Sequence, residues 1–290
     1  MPTGFDPSTI TDSRLIRAIE FALIEDSGLG DLTSEAIVEE DAIGKGEIIC
    51  KDRGIIAGLD AAAMVFHLCD ESSALHPDVS DGEKIQPGKR VALVSGLLRG
   101  ILRGERVALN LLHRMSGIAT LTRAYVDAVA GTRAKITDTR KTAPGLRAFD
   151  KWAVRAGGGV NHRFGLDDMV LIKDNHIAVA GGIAHAAAAC TRYLRSRKLE
   201  IKIEVETTSL EEVREALDCQ RVFRIMLDNF AVQEMAEAVR LINGRAEVEA
   251  SGGITLENVR ACAETGVDLI SVGALTHSSK ALDLSLEIST

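Results

Sequence analysis

Apolar residues first recur at helical spacing and then give way to short apolar segments separated by turns. Leu15, Ile16, Ile19 and Leu23 follow one another at helical spacing, so they predict a helix that ends near Gly28. Beyond it the pattern predicts short strands, one helix and a region of strands punctuated by Gly and Pro, at 46–50, 54–58, 61–68 and 81–95. The first third of the chain is therefore expected to be α+β.

The segment 97–130 has a strong helical pattern, with a break predicted near Gly117. Its polar stripe recurs at three- and four-residue intervals and consists of Arg103, Arg106, Asn110 and Arg114. The stripe is typical of a solvated helix face. The alternative is that Arg106 reaches into a ligand site.

From residue 133 onward, short apolar segments alternate with Ala-rich helical ones. The strands are predicted at 133–138, 169–173, 200–206, 222–228, 246–250 and 268–272. The later helices are predicted at 178–195, 209–219, 231–242 and 255–265. This alternation predicts a parallel sheet, and we interpret the whole as an α/β protein with an incomplete (β/α) barrel of six or seven strands.

Composition narrows the function classes. The chain has 290 residues, 46% hydrophobic residues and a net charge of −8. Its acidic balance and the lack of basic runs with interleaved aromatics exclude a nucleic-acid partner. No apolar run approaches the ~18 residues of a membrane span, so we expect no membrane partner. Five scattered cysteines without a CxxC pair predict reduced thiols, no zinc site and a cytoplasmic location.

The stretch 136–177 has a net positive charge, whereas the rest of the chain is acidic. It holds seven Lys or Arg against five Asp, a charge of +2, so the remainder carries −10. Such a cluster is typical of a pocket for a small anion. The residues suited to a multiply charged carboxylate are Arg140, Lys141, His162, Arg163 and Lys173. Ion pairs with Asp138, Asp167 and Asp174 could explain single members of this group.

Polar residues also follow the other predicted strands, where a barrel places its active site. Ser251, Gly252 and Gly253 precede a helix expected near Thr255, and Gly273 follows the last strand. Glycines allow a phosphate to approach backbone N–H groups, so these loops predict a phosphate site.

Carboxylates are predicted at the same end of the barrel. Glu204 and Glu206 alternate on one strand and therefore share a face, and Asp228 ends the next strand. Beside a phosphate, such carboxylates are typical of an Mg²⁺ site. The alternative is a polar barrel layer satisfied by lysines such as Lys173.

Taken together, the motifs closely resemble the quinolinate phosphoribosyltransferase family. The most specific phrases are TRKTAPGLR at 139–147, GGGVNHR at 157–163 and LIKDNHI at 171–177. Other matching phrases are EDSGLGDLTS at 25–34, GERVALNLLHRMSGIAT at 104–120, IEVE at 203–206, LDNF at 227–230, SGGI at 251–254 and ISVGALT at 270–276.

The resemblance implies an N-terminal α/β sandwich domain over residues 1–115, a catalytic barrel over 116–275 and a segment 276–290 that returns to the first domain. It implies conversion of quinolinate and phosphoribosyl pyrophosphate to nicotinate mononucleotide, CO₂ and pyrophosphate in NAD biosynthesis, with Mg²⁺ as cofactor. It also implies a homodimer with a shared active site, completed by Arg106 of the other copy.

Carried onto this chain, the resemblance assigns three groups of residues. The quinolinate carboxylates would be held by Thr139, Arg140, Lys141, His162, Arg163 and Lys173. Phosphoribosyl pyrophosphate would be bound by Glu204, Glu206, Asp228, Ser251, Gly252, Gly253 and Gly273. Glu206 and Asp228 would hold Mg²⁺, directly or indirectly, and would be catalytic together with Lys141 and Lys173.

Some alternatives stay open at this point. Segment 207–227 lacks the Gly-x-Asp expected before LDNF, so both Glu204 and Glu206 remain candidates for the main carboxylate. A related enzyme acting on another heteroaromatic carboxylate and a non-catalytic phosphate- or carboxylate-binding barrel are the alternative functions.

Overall fold

The computed structural model describes residues 12–289, which form two compact units. The first comprises the described residues up to Arg123, segment 142–158 and the residues from 275 onward. The second comprises 124–141 and 159–274. Residues 1–11 of the predicted domain 1–115 and Thr290 of the predicted segment 276–290 lie outside the described part of the chain. The predicted three-part division stays a prediction, and segment 142–158 groups here with the first unit.

A four-stranded antiparallel sheet forms the centre of the first unit, with strand order β12-β1-β5-β3. The strands of this unit are β1 (Ile43–Cys50), β2 (Gly54–Ile55), β3 (Ala74–Pro77), β4 (Lys84–Ile85), β5 (Arg90–Leu97) and β12 (Leu284–Ser289). Its shorter helices are α1 (Ser13–Ser27), α2 (Leu32–Ile37), α3 (Leu59–Cys69) and α5 (Arg147–Ala156). Strand β2 is shorter than the predicted 54–58, and the sequence pattern missed α2, α5 and β12.

Helix α1 forms as its apolar spacing predicts. Leu15, Ile19 and Leu23 are buried on one face, and Asp12 caps the helix by accepting from the backbone N–H of Arg14 at 2.9 Å. Gly28 ends the helix with φ of +49°, a conformation that favours glycine.

Helix α4 (Leu98–Ala128) runs uninterrupted, so the break predicted near Gly117 is wrong. The glycine has another purpose. A Cβ at this position would collide with the carbonyl oxygen of Lys280. Gly117 therefore allows a close backbone contact within the first unit. Its only cost to the helix is the low intrinsic helix propensity of glycine.

A buried ion pair holds α5 in the first unit. Both oxygens of Asp150 accept from the guanidinium of Arg114, at 2.7 and 2.8 Å, and the Asp150 side chain is fully buried. A bidentate pair of this kind fixes orientation as well as distance. It anchors the segment that follows Thr142.

The second unit is built on a six-stranded parallel sheet, and all six strands predicted from the sequence are confirmed. They are β6 (Lys135–Thr137), β7 (Val170–Ile172), β8 (Ile203–Thr207), β9 (Val222–Asp228), β10 (Glu247–Ser251) and β11 (Leu269–Ser271). Their order is β6-β11-β10-β9-β8-β7, the cyclic order of a barrel opened between its first two strands. Val160 makes an isolated parallel bridge to Thr137 beside that opening. The expected incomplete barrel is confirmed, with six strands.

The helices of the second unit follow the predicted alternation with two corrections. They are α6 (Asp174–Ala180), α7 (Ile183–Ser196), α8 (Leu210–Asp218), α9 (Val232–Ile242) and α10 (Val259–Glu264). The single helix predicted at 178–195 is wrong, because Gly181 and Gly182 adopt φ of +79° and +132° and separate α6 from α7. Helix α10 begins at Val259, later than predicted. The short α11 (Ala274–His277) follows β11.

Within residues 12–289, no single helix is long and apolar enough to cross a membrane. Only α6 and α7 taken together meet the length and composition requirement, and they are bent by 90° at the break between them.

Candidate active site

A cavity of 610 Å³ lies in the second unit, where the carboxyl ends of its strands meet. Its lining comprises Thr139, Arg140, Lys141, His162, Arg163, Leu171, Lys173, Glu206, Met226, Asp228, Asn229, Glu249, Ser251, Gly252, Gly253 and Ser271. The parallel strands bring together positions that are more than 130 residues apart in the sequence, such as Thr139 and Ser271. This end of a barrel is where enzymes of the fold place their chemistry.

Two guanidinium groups form the cationic part of the cavity. Burial, followed by the charge of Arg140, lowers the pKa of Arg163 below its usual value. The Nε of Arg140 is buried and finds no hydrogen-bond partner among residues 12–289. Two cations that repel each other, one with an unsatisfied donor, are suited to binding an anion between them.

Carboxylates face these cations from the neighbouring strands. Oε2 of Glu206 accepts from Nζ of Lys173 at 2.6 Å, and Asp228 accepts from the side-chain amide of Asn229 at 2.8 Å. The Lys173 side chain keeps 43% of its exposure, so it remains accessible from the cavity. The cavity therefore carries both signs of charge on adjacent strand ends.

The loop after β10 brings backbone to the cavity wall. Gly252 and Gly253 have φ of +87° and +60°. A Cβ on Gly252 would collide with Asn229. This close approach requires glycine and leaves the backbone of the loop open to an anionic ligand.

A buried cluster of charged side chains lies beneath the cationic part of the cavity. Nε2 of His162 lies 3.0 Å from Oε2 of Glu204 and 3.3 Å from Oε2 of Glu249, and both carboxylates are fully buried. Nη1 of Arg224 lies 3.0 Å from the same Glu249 oxygen and 3.7 Å from Oε2 of Glu204. The cluster combines two carboxylates with one permanent cation and a histidine.

The protonation of this cluster follows from its contacts. Burial, followed by the charge of Glu249, raises the pKa of Glu204 to about 7. Burial lowers the pKa of His162, but contacts with the two carboxylates outweigh it and raise it to about 9. However, Nδ1 of His162 accepts from the backbone N–H of Arg163 at 2.7 Å. An imidazolium would place a second N–H there, so this geometry favours a neutral ring protonated on Nε2.

Three residues predicted for the site lie outside the cavity lining. Glu204 is fully buried one layer deeper than Glu206, which lines the cavity, and which of the two is the main carboxylate stays a prediction. Gly273 follows β11 without lining the cavity. Arg106 lies on α4 in the first unit, where its side chain is 57% exposed and 3.4 Å from Glu105.

The sequence interpretation missed Glu249 and Arg224. A signal was present, because Glu249 lies two positions before Ser251 on a buried strand and therefore shares its face. Arg224 likewise lies four positions before Asp228 on β9. Charged residues inside short apolar strands indicate that the interior of the barrel is polar.

Two groups of side chains offer oxygen or nitrogen atoms that could bind a metal ion. Within residues 12–289, the one group of three close metal-ligating side chains is His162, Glu204 and Glu249, which Arg224 already contacts. Glu206 and Asp228 offer carboxylate oxygens in the open cavity instead. Magnesium commonly binds one or two carboxylates together with substrate phosphates, so this second pair fits Mg²⁺ better.

Fold and cavity thus define an α/β-barrel protein with a cavity suited to anions at the carboxyl ends of its strands. Two family models cover the chain. The quinolinate phosphoribosyl transferase N-terminal domain matches residues 31–116 and its C-terminal domain matches 118–287. The chain belongs to the quinolinate phosphoribosyl transferase family.

Individual relatives agree with the family models. The chain is 49% identical to a mitochondrial quinolinate phosphoribosyltransferase (decarboxylating) of Nicotiana tabacum, over 95% of this chain and 82% of the relative. It is 46% identical to a nicotinate-nucleotide pyrophosphorylase (carboxylating) of Mycobacterium leprae, over 93% and 95% of the two chains. The structure of the nicotinate-nucleotide pyrophosphorylase from Francisella tularensis superposes with a TM-score of 0.90 at 37% identity, covering 98% of this chain and 99% of the other.

Proposed function

We propose that this enzyme transfers the phosphoribosyl group of phosphoribosyl pyrophosphate to quinolinate with loss of CO₂. The products are nicotinate mononucleotide, CO₂ and pyrophosphate, and the reaction belongs to NAD biosynthesis. The names of its relatives support this function. The observation that carries it is the placement of Arg140 and Arg163 in the same cavity as the carboxylates of Glu206 and Asp228.

The cationic part of the cavity suits the two quinolinate carboxylates. Arg140 and Arg163 would bind them as bidentate donors, and Lys141 and Lys173 would add point charges. Thr139 supports this wall, because its hydroxyl accepts from the backbone N–H of Lys141 at 3.0 Å. The resemblance places His162 in the same group, and His162 lines the same cavity.

The opposite part of the cavity suits phosphoribosyl pyrophosphate. Ser251, Gly252 and Gly253 would bind the 5-phosphate through the backbone and a hydroxyl. Glu206 and Asp228 would bind the ribose hydroxyls and hold Mg²⁺, which supplies positive charge to the pyrophosphate when it is bound. Gly273 is retained as a phosphate-loop candidate from the resemblance.

The proposed chemistry has two bond-breaking steps. The pyridine nitrogen attacks C1 of the ribose while the C1–O bond to pyrophosphate breaks, through a state with positive charge on the ribose. Glu206 and Asp228 would stabilise that charge. The resulting pyridinium then accepts the electron pair of the C–C bond to the 2-carboxylate. CO₂ departs and a proton is added at the ring carbon.

The cationic wall must hold the ring in line for the first step. It must also release the 2-carboxylate in the second step. Lys141 and Lys173 are the lysines that we propose for this catalytic role. A lysine makes point-charge contacts, which constrain a departing carboxylate less than a bidentate arginine does.

A homodimer with a shared active site is part of this proposal. Arg106 is exposed and lies outside the cavity lining, so it would act in the cavity of another copy. Exposed apolar side chains on and beside α1 and α2 offer a surface for such an association, and they include Phe21, Ile24, Leu29, Leu32 and Ile37. The five free cysteines suit a reducing compartment, and we propose the cytoplasm.

A single assay tests the function. Purified enzyme is incubated with quinolinate, phosphoribosyl pyrophosphate and Mg²⁺, and nicotinate mononucleotide and CO₂ are measured together. Equal amounts of both products are expected. Binding of quinolinate without turnover would favour a non-catalytic barrel, and a higher kcat/KM with another heteroaromatic carboxylate would favour a related enzyme.

A further inference from the structure

We propose that Asn229 is a positioning residue for the phosphoribosyl group, because it holds the Asp228 carboxylate at a fixed distance from the phosphate loop. The phosphate loop is the segment 251–253. The inference deepens the proposed function and rests on it for the identity of the ligand. Asn229 lines the cavity, but the sequence assigned it to none of the binding groups.

The backbone of Asn229 leaves β9 in a left-handed turn. Its φ is +58°, directly after Asp228, the last residue of the strand. Along a continuing strand, the two neighbouring side chains would lie on opposite faces of the sheet and could not meet. The turn ends this alternation, and Nδ2 of Asn229 donates to Oδ2 of Asp228 at 2.8 Å. Asparagine tolerates this conformation better than most residues that carry a side chain.

This contact orients the Asp228 carboxylate. An ionised carboxylate only accepts hydrogen bonds, so the amide of Asn229 must turn its NH₂ group toward it. The contact engages Oδ2 and limits rotation of the carboxylate, and the other oxygen can accept from a ribose hydroxyl. Orientation before binding lowers the entropy that the ligand must overcome.

Asn229 is also tied to the phosphate loop. Its backbone N–H donates to the carbonyl oxygen of Ser251 at 2.9 Å, which continues the hydrogen bonding of β9 and β10 past their last paired residues. Gly252 packs so closely against Asn229 that a Cβ would collide with its amide group and its backbone nitrogen. One residue therefore contacts both the carboxylate and the loop, and it fixes their separation.

A second asparagine holds the far end of the phosphate loop. Oδ1 of Asn258 accepts from the backbone N–H of Thr255 at 2.8 Å, and its Nδ2 donates to the carbonyl oxygen of Gly253 at 2.9 Å. Both contacts shape the loop, whereas the side chain of Asn229 also orients the carboxylate. A variant at Asn258 is therefore suited to disturb the loop separately from Asp228.

The chain offers a matched control for the left-handed backbone. Asn243 has φ of +47° at the end of α9, where it is exposed and its backbone N–H donates to the carbonyl oxygen of Val239 at 3.0 Å. It ends a helix and does not line the cavity. Asn243→Gly therefore changes a residue of the same type and conformation away from the ligand.

Two probes separate the carboxylate from the loop. Ribose 5-phosphate carries hydroxyls and a phosphate, whereas inorganic phosphate can occupy only the loop. In titrations in metal-free buffer, Asn229→Gly is expected to weaken binding of ribose 5-phosphate roughly 10-fold and of inorganic phosphate by about twofold at most, because glycine adopts the same turn. Asn258→Ala should weaken both probes, and Asn243→Gly should bind both like the wild type.

A second variant keeps the size of the side chain. Asn229→Asp retains the conformational preference of asparagine but places a second carboxylate beside Asp228. At neutral pH it should lose at least as much affinity for ribose 5-phosphate as Asn229→Gly. In turnover assays, both variants are expected to raise KM for phosphoribosyl pyrophosphate roughly 10-fold or more, with KM for quinolinate within about twofold of wild type.

A double-mutant cycle shows whether Asn229 acts through Asp228. In the Asp228→Ala background the amide has no carboxylate to orient. Adding Asn229→Gly there should weaken ribose 5-phosphate by about twofold at most. A merely structural role for Asn229 would produce the same loss in both backgrounds, so an undiminished loss would overturn the proposal.

Three binding results would also overturn it. One is wild-type affinity for ribose 5-phosphate in Asn229→Gly. Another is an equal loss for both probes in that variant, which indicates a damaged loop. The third is a wild-type protein that binds ribose 5-phosphate no better than inorganic phosphate. Binding needs no turnover, so a protein that shows the expected binding pattern but makes no nicotinate mononucleotide refutes the proposed reaction alone.

Discussion

The ammonium group of Lys173 lies 2.6 Å from a carboxylate oxygen of Glu206, and the two residues come from the ends of adjacent strands β7 and β8. The contact joins the cationic wall to the carboxylate side of the cavity. A ligand that draws Lys173 toward itself must therefore weaken its hold on Glu206. The two proposed substrate sites share this one ion pair.

A double-mutant cycle on this pair tests that coupling. Lys173→Met and Glu206→Gln are each expected to lower kcat/KM roughly 10- to 100-fold, because each removes a charged contact to substrate. The double variant should lose less than the product of the two, with a coupling free energy of about 1 kcal/mol. Initial rates at varied concentrations of both substrates provide the four values. Strictly multiplicative losses would show that the two residues act independently.

Removal of either guanidinium should abolish nearly all quinolinate turnover. Arg140→Ala and Arg163→Ala each delete a bidentate cation, and the loss in kcat/KM is expected to be at least about 10- to 100-fold. The fold should survive, because burial beside a second cation already disfavours the charge of Arg163. Arg192→Ala on α7, an exposed site, is the control. Wild-type kinetics in either cavity variant would contradict the assignment.

Gly117→Ala should destabilise the first unit although alanine is the better helix former. The added methyl would meet the carbonyl oxygen of Lys280. Relief of that clash is expected to cost about 1–3 kcal/mol, against a propensity gain of about 1 kcal/mol. Chemical denaturation would show the net loss. Asn110→Ala, at an exposed position of the same helix, should be neutral or slightly stabilising, and a stabilising Gly117→Ala would refute the close contact.

Asp31 makes a pH-dependent contribution to stability. The hydroxyl and then the backbone N–H of Ser34 lower the pKa of Asp31, which caps α2. A carboxyl with a lowered folded-state pKa stabilises fully above its unfolded pKa, about 3.9, and this is lost as pH falls through the folded-state pKa. Asp31→Ala should cost about 1 kcal/mol at pH 7. The difference from wild type should shrink in denaturation series taken below about pH 4, and a difference independent of pH would contradict this origin.

The strands of the second unit could be predicted because each is a short apolar run bounded by turns and ended by polar residues. The segment 222–228 matches β9 (Val222–Asp228) at both ends. The glycine at 117 could not be interpreted correctly, since its reason is a carbonyl oxygen 163 positions away in the sequence. The two glycines at 181 and 182 show the opposite case, because there positive φ does end a helix.

The sequence predicted which strand ends carry the candidate site. It did not predict which residues of those strands line the cavity and which are buried beneath it. Period-two alternation shows that Glu204 and Glu206 share a face, and it says nothing about which one reaches the cavity. That difference arises from the height of each residue along the strand, where Glu204 meets Arg224 and His162 and Glu206 meets Lys173. Pairings between strands are long-range, so no local pattern contains them.

Strand β12 pairs antiparallel with β1 over six positions, from Lys45 opposite Ser289 to Cys50 opposite Leu284. About 240 residues of chain separate the two strands, so this edge of β1 stays without its partner until those residues have been synthesised. Until residues 284–289 have left the ribosome, β1 carries unpaired backbone groups along one side. A nascent chain of this protein is thus exposed to mispairing at β1 until β12 has been synthesised.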